Sequence, residues 1–185
     1  MIDDVMLEAE EKMEQALEAS KRELASIRTG RANPSMFNPI LVDYYGAPTP
    51  LQQLAGITIP EARTVIVSPF DRSAMKAITT AIRESDLGVN PTDDGTIIRV
   101  TLPALTEERR RDYVKLARSR AEESRVQVRG IRGRSKKELE AIKRAGEAGE
   151  DDVKRAEHEL DGLTKRFVEQ IDAALSTKES ELLEV

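Results

Sequence analysis

Apolar residues recur every three or four positions through the first 27 residues. Ile2, Met6, Ala9, Met13, Leu17, Ser20, Leu24 and Ile27 share one helical face, with Ser20 the single polar member. Asp3 and Asp4 suit the positive N-terminal end of that helix. Gly30 is placed as its left-handed C-cap, with Arg28 in the last turn and Pro34 just beyond. The same period returns from about Thr106 to Arg144 in Tyr113, Ala117, Ala121, Ser124, Val128, Ile131, Ser135, Leu139 and Ile142. Thr106 caps this second helix, and Glu107 and Glu108 fit its first turn. The run Ala-Gly-Glu-Ala-Gly-Glu at 145–150 is a turn. Asp151 and Asp152 then open a third helix, striped by Val153, Ala156, Leu160, Leu163, Phe167, Ile171, Ala174 and Leu182. Each stripe is narrow, so none of these helices is stable alone. Buried against one another, they make a long antiparallel three-helix bundle. At 1.5 Å per residue the middle helix would run about 60 Å, which predicts a rod.

The pattern between residues 31 and 104 is of another kind. All eight prolines lie there, and proline breaks helix interiors. Ile40–Tyr45, Gly56–Pro60, Thr64–Ser68 and Thr96–Leu102 are short β-branched or aromatic runs bounded by turn residues, and read as strands. Asp71 caps a short helix with Met75, Ile78 and Ile82 on its inner side, ending near Leu87-Gly88. Asn90-Pro91 and Asp93-Asp94-Gly95 are turns. The fold class is therefore α+β with two domains. Residues 1–30 and 105–185 form the bundle, and 31–104 form a small β-rich α+β domain inserted into it. Two crossings join them, near Gly30–Pro34 and near Pro103–Thr106, and together they suggest a restrained hinge.

Composition narrows the function. No apolar run approaches the roughly 18 residues needed to span a bilayer, and the acidic, periodic N-terminus is unlike a signal or transit peptide. A soluble, cytoplasmic protein is expected, without membrane contact. Cysteine is absent and His158 is the only histidine. Thiolate metal sites and His-based catalytic triads therefore lack raw material, and no phosphate-binding loop or nucleophile elbow is present. The expectation is a protein that is not an enzyme, with no cofactor and no metal. Asp93-Asp94 reads as a tight turn and not a cation site. Gly130-Ile-Arg-Gly133 matches the G-x-x-G loop of KH modules, but it sits within a continuous helical stripe without flanking strands. Its glycines instead permit close approach of something large, such as an RNA backbone. His158 is placed as a solvated side chain.

The formal net charge of −5 speaks against nucleic acid, but it is an average. Between Arg109 and Lys137 lie twelve bases and three acids, a local +9 that leaves −14 for the rest of the chain. Within that window Arg125, Arg129, Arg132 and Lys136 step by four, three and four, one residue round from the core stripe. A solvated salt-bridge face interleaves acids at helical spacing, and Arg125–Lys137 contains none. The stripe is therefore read as a phosphate-binding face, suited to planar guanidinium contacts. No aromatic residues interleave to stack bases, so contact would be with backbone and shape. The alternative is a coiled-coil adaptor or chaperone-like module that binds a partner protein, which the periodicity alone allows.

Five blocks carry a resemblance: Arg28-Thr-Gly-Arg-Ala-Asn-Pro34, Tyr44-Tyr-Gly-Ala-Pro-Thr-Pro-Leu51, Leu87-Gly-Val-Asn-Pro91, Leu105-Thr-Glu-Glu-Arg-Arg110 and Val128-Arg-Gly-Ile-Arg132. In order and across the whole chain, they resemble the bacterial ribosome recycling factors. The resemblance implies an L-shaped pairing of a three-helix bundle with a small β-rich domain, near the size of a transfer RNA. It implies a monomeric factor that, with elongation factor G and GTP, splits post-termination ribosomes into subunits after peptide release. The partners implied are the 50S subunit with its 23S rRNA and elongation factor G, with no DNA. The bundle would span the former A and P sites, near the peptidyl-transferase centre and the intersubunit bridges. The arginines matching Arg110, Arg129 and Arg132 face ribosomal RNA in that family, and Arg125 and Lys136 extend the same stripe. Arg28 and Arg31 belong to the hinge motif, with Gly30, Pro103 and Leu105 beside them on the crossings. The family commonly has two adjacent arginines where this chain has Arg132-Gly133, with Arg134 following. Arg134 lies about 100° round the helix from Gly133 and is no direct substitute.

Overall fold

The computed structural model describes residues 1–184. Its chain divides into two compact units, one of residues 1–24 with 115–179, the other of 25–114 with 180–185. The second unit thus takes in residues 25–30, 105–114 and 180–185 as well as the proline-rich middle, a wider span than the 31–104 read from proline placement.

The first unit is built on three helices: α1 (Ile2–Ser26), α4 (Glu107–Arg144) and α5 (Glu150–Leu183). Their apolar stripes meet in one core. Ala9, Met13 and Leu17 come from α1, Ala121, Val128, Ile131 and Leu139 from α4, and Val153, Leu160, Phe167 and Ile171 from α5. This is a three-helix bundle. The α4–α5 corner is a Schellman turn: Glu147 N–H donates to Ile142 at 3.2 Å, Gly146 N–H donates to Lys143 at 3.1 Å, and Gly146 holds φ +69°. At the other end of α4, Thr106 Oγ1 accepts from Arg109 N–H at 3.1 Å, the expected cap. His158 is exposed on α5.

Gly30 is a correction. α1 ends at Ser26, and the left-handed glycines are Gly46, Gly88, Gly95 and Gly146, so Gly30 is no left-handed cap. The segment after α1 is instead organised by side chains. Thr29 Oγ1 donates to the Arg31 carbonyl, and Asn33 caps a 3-10 turn over Pro34–Phe37.

The second unit holds a two-stranded hairpin, β1 (Leu41–Tyr44) with β2 (Ala47–Pro50), and a short helix α2 (Leu51–Leu54). It also holds an antiparallel sheet of order β3-β4-β6-β5, from β3 (Ala55–Glu61), β4 (Thr64–Pro69), β5 (Thr92–Asp93) and β6 (Ile98–Thr101). Val65, Val67, Ile98 and Val100 turn inward at every second position. They pack with Met75, Ile78 and Ile82 of α3 (Met75–Arg83) in the unit's own core. Asp71 caps the turn before α3, accepting from Ser73 N–H at 2.9 Å.

Strand β2 escapes sequence reading because Pro48 and Pro50 read as breakers. Two residues apart, both turn their missing N–H to the strand's outer side, which a hairpin edge tolerates. Pro60 likewise sits on edge strand β3, where the register with β4 shifts between Thr58 and Glu61. The Asp93-Asp94 turn is as expected. Asp94 Oδ1 accepts from the N–H groups of Thr96 and Ile97, and Asp93 Oδ1 from Gly95. No helix among the described residues is long and apolar enough to cross a membrane.

Candidate nucleic-acid interface

Helix α4 buries one row, Ala117, Ala121, Ser124, Val128, Ile131, Ser135 and Leu139. Arginines one position round from that row meet α5. Arg118 Nε donates to Glu179 at 2.7 Å, Arg125 Nε to Asp172 at 2.7 Å and Arg132 Nε to Asp161 at 2.6 Å. Residue numbers rise along α4 as they fall along α5, as antiparallel neighbours require. Arg125 also binds Glu122 at 2.7 Å, and Arg129 reaches the same carboxylate at 3.5 Å.

This corrects the reading that the stripe from Arg125 to Lys136 lacks acidic partners. Its acids come from α5 and from Glu122 upstream, where a search for i, i+4 spacing within Arg125–Lys137 does not look. A signal was available. Asp161 and Asp172 each follow a buried residue of α5, Leu160 and Ile171, just as Arg132 and Arg125 follow Ile131 and Ser124. Matching flanks of facing stripes pair across helices.

The members of the stripe are held unequally. The Arg125 side chain is only 18% exposed and bridges two carboxylates. Burial alone would push its guanidinium down, but the hydrogen bonds to Asp172 and Glu122 outweigh that and raise it. Arg132 is 39% exposed with Asp161 as its ion-pair partner, and Arg129 is 55% exposed. Among the described residues Arg134, Lys136 and Lys137 form no ion pair.

Opposite the buried row runs Val126, Gly130, Gly133 and Lys137, spaced four, three and four. A Cβ at Gly133 would meet nothing within 4 Å beyond its own helix backbone, and one at Gly130 would meet only Arg134 Nη1 at 3.9 Å. Packing therefore asks for neither glycine, and each costs a helix about 1 kcal/mol relative to alanine. The result is a strip of bare backbone with Arg129 on one side and Arg134 on the other, able to admit a bulky polyanion closely.

The remaining sequence-derived residues lie in the second unit. Arg28 is 4% exposed. Its Nη1 donates to Leu87 O at 3.2 Å and its Nη2 to Pro103 O, while Nε has no partner among the described residues. Burial pushes this guanidinium below its ordinary value; Tyr113 opposes the shift and the nearby charge of Arg109 adds to it. Residue 28, on the first crossing, is thereby tied to residue 103 on the second. Both crossings also bond to the turn between β3 and β4: Ala32 N–H donates to Ala62 O at 2.6 Å and Leu102 N–H to Arg63 O at 2.7 Å. Leu105 is buried and Arg31 exposed. Gly30, Arg31, Leu105 and Arg110 line a cleft of ≈ 520 Å³, in which Arg110 Nε is buried without a hydrogen-bond partner among the described residues. Arg110 belongs to this second unit, and Arg129 and Arg132 to the first.

A family model described as ribosome recycling factor matches residues 20–183. The ribosome-recycling factor of Beutenbergia cavernae is 63% identical and that of Kineococcus radiotolerans 61%, each over all 185 residues and the full length of both chains. A solution structure of the ribosome recycling factor superposes with a TM-score of 0.77 at 41% identity, covering 100% of this chain and 98% of the other. A second solved chain, also 41% identical, has a TM-score of 0.69 with both chains fully covered. It belongs to models of the T. thermophilus ribosome recycling factor and E. coli elongation factor G bound to the E. coli post-termination complex.

Proposed function

This chain belongs to the ribosome recycling factor family, and we propose that the basic face of α4 is the surface it lays against large-subunit ribosomal RNA. Ribosome recycling is its function, as a non-enzymatic factor acting with elongation factor G on the post-termination ribosome. The coiled-coil adaptor reading loses its ground to the family match. A ribosome-bound role implies a cytoplasmic location.

One observation carries the interface: Gly130 and Gly133 leave the outer row of α4 bare in a helix whose adjoining positions are basic. Arg129, Arg132 and Lys136 would reach phosphates on one side of that row, with Arg134 on the other. Arg125, held by two carboxylates, would contribute mainly by fixing the helix that presents them. Arg110, whose Nε has no acceptor among the described residues, would take a phosphate at a separate point. The missing arginine at Gly133 becomes intelligible in these terms, because bare backbone there lets Arg134 and Arg129 straddle the same strand. The acidic remainder of the surface would repel RNA and favour one way of docking.

The proposed division of labour assigns RNA contact to residues 1–30 and 105–185 and a motion driven by the GTPase to residues 31–104. Arg28, Gly30, Arg31, Pro103 and Leu105 are the proposed hinge. In support, Arg28 binds the two crossings into a single strap, which would steer any movement between them.

Co-sedimentation with purified large subunits tests the interface. Replacing Arg129, Arg132 or Lys136 with alanine should each weaken binding by about 1–3 kcal/mol, the range of a charged hydrogen bond. Affinity should also fall steeply with salt. A flat salt response with unchanged alanine variants would sink the assignment. A subunit-splitting assay with elongation factor G and GTP reads the function itself.

A further inference from the structure

The proposed RNA face leaves one group unexplained. Arg132, its central guanidinium, is already engaged: Nε donates to Asp161 Oδ1 at 2.6 Å. The pair is open to solvent, with Arg132 39% and Asp161 55% exposed. The neighbouring rung differs, since Arg125 is 18% exposed and held by both Asp172 and Glu122. One rung is a strut, and the other is a contact that water and ligands can reach.

A guanidinium presents its donors in a planar fork, and carboxylate and phosphate oxygens seek the same fork. Asp161 therefore occupies Nε, one of the donors along the edge of that fork that a phosphate would use. We propose that Asp161 sets the affinity and release rate of the RNA face by competing with phosphate for Arg132. This rests on the reading of α4 as that face. In the free protein Asp161 holds Arg132 toward α5. When RNA docks, a phosphate oxygen takes the donors and the carboxylate is left to water. An exposed ion pair is cheap to open, so the exchange is not blocked. The released carboxylate nevertheless stays tethered beside the bound phosphate and repels it. Both effects make Arg132 a weaker anchor than an unpaired arginine. That suits a factor that must leave the ribosome after every round, because affinity differences of this kind fall mainly on dissociation. Asp161 is thus a positioning residue acting through Arg132. Asp172 is not its equivalent, because Arg125 would still be held by Glu122.

The test uses the full chain with Asp161→Asn, which keeps size and an acceptor oxygen but removes the charge. Association and dissociation rates on purified large subunits are measured at fixed salt, beside an unfolding curve for each variant. Affinity should rise about two- to fivefold, the scale of one exposed ion pair, mostly through slower dissociation. Most of the gain should be lost in the Asp161→Asn/Arg132→Ala double variant, and Asp172→Asn should change affinity less than twofold. Asp161→Ala provides a second charge removal if the asparagine variant unfolds early. Unchanged or weaker binding by both folded Asp161 variants overturns the proposal while leaving the RNA face standing, provided Arg132→Ala still weakens binding. Arginine variants that bind like the wild type overturn the RNA face and this proposal together.

Discussion

Nη1 of Arg28 donates to the carbonyl oxygen of Leu87 at 3.2 Å, joining the segment after α1 to the loop after α3 across 59 residues of sequence. The same guanidinium reaches Pro103 O and is almost fully buried, so its removal would orphan two carbonyls and leave a void. Arg28→Ala should therefore cost about 2–4 kcal/mol of stability, and Arg28→Lys, which cannot serve both acceptors from one fork, nearly as much. Urea unfolding of the full chain measures this. A loss below about 0.5 kcal/mol for Arg28→Ala would show that these bonds are not needed for folding.

The start of α4 rests on a single side chain, Thr106, whose Oγ1 receives the Arg109 N–H at 3.1 Å. Thr106→Ala should lower stability by about 1 kcal/mol and Thr106→Ser by much less, because serine restores the acceptor. Equal losses in thermal unfolding would mean that the methyl group and not the hydroxyl matters. Glu107 and Glu108 in the first turn lend further support to the helix end, which added salt would screen.

Acid should act on the Asp71 corner. The Ser73 hydroxyl, the Ser73 N–H and the Tyr44 hydroxyl all favour the charged carboxylate and hold Asp71 below the usual aspartate value. A carboxyl depressed in the fold contributes stability that is complete above its unfolded value, about 3.9. That contribution is lost as pH falls through the lower folded value. Asp71→Asn, which cannot carry the charge, should lower stability at pH 7, converge with the wild type in acid and so flatten the loss of stability below about pH 4. Chemical shifts of Ser73 and Tyr44 followed through an acid titration check it. If they titrate at the ordinary aspartate value, the proposed depression is wrong.

Much of this architecture is legible because helix stripes report burial directly. Met13, Leu17, Val128, Leu139, Leu160 and Phe167 lie on the predicted faces and are buried in one core. Short-range chemistry was legible as well, as Thr106 and Asp71 show. What escaped was pairing between elements. The prolines of β2 hide a strand, because only the hairpin partner makes their missing N–H groups harmless. Asp161 and Asp172 hide in α5, because the arginines they satisfy are 29 and 47 residues away. Gly30 misled for a related reason. Glycine after a helical stripe usually marks a left-handed cap, but here the buried Arg28 and Thr29 organise the chain past Ser26.

Gly133 separates folding from function in one substitution. Space is open around it, φ is not in the left-handed region, and it lies deep within α4. Alanine there should stabilise the protein by about 1 kcal/mol, the ordinary helix-propensity gain. If the outer row carries an RNA backbone, the same methyl group stands where phosphate or sugar must approach. Gly133→Ala should then unfold at a higher temperature and bind large subunits more weakly. Gly146→Ala is the control of opposite sign: at φ +69° it should lose about 1 kcal/mol by straining the α4–α5 turn. Its binding, measured well below its unfolding temperature, should match the wild type. A Gly133→Ala protein that is both more stable and fully binding-competent would remove the outer row of α4 from the interface and leave Arg129, Arg132 and Lys136 to make it from the side.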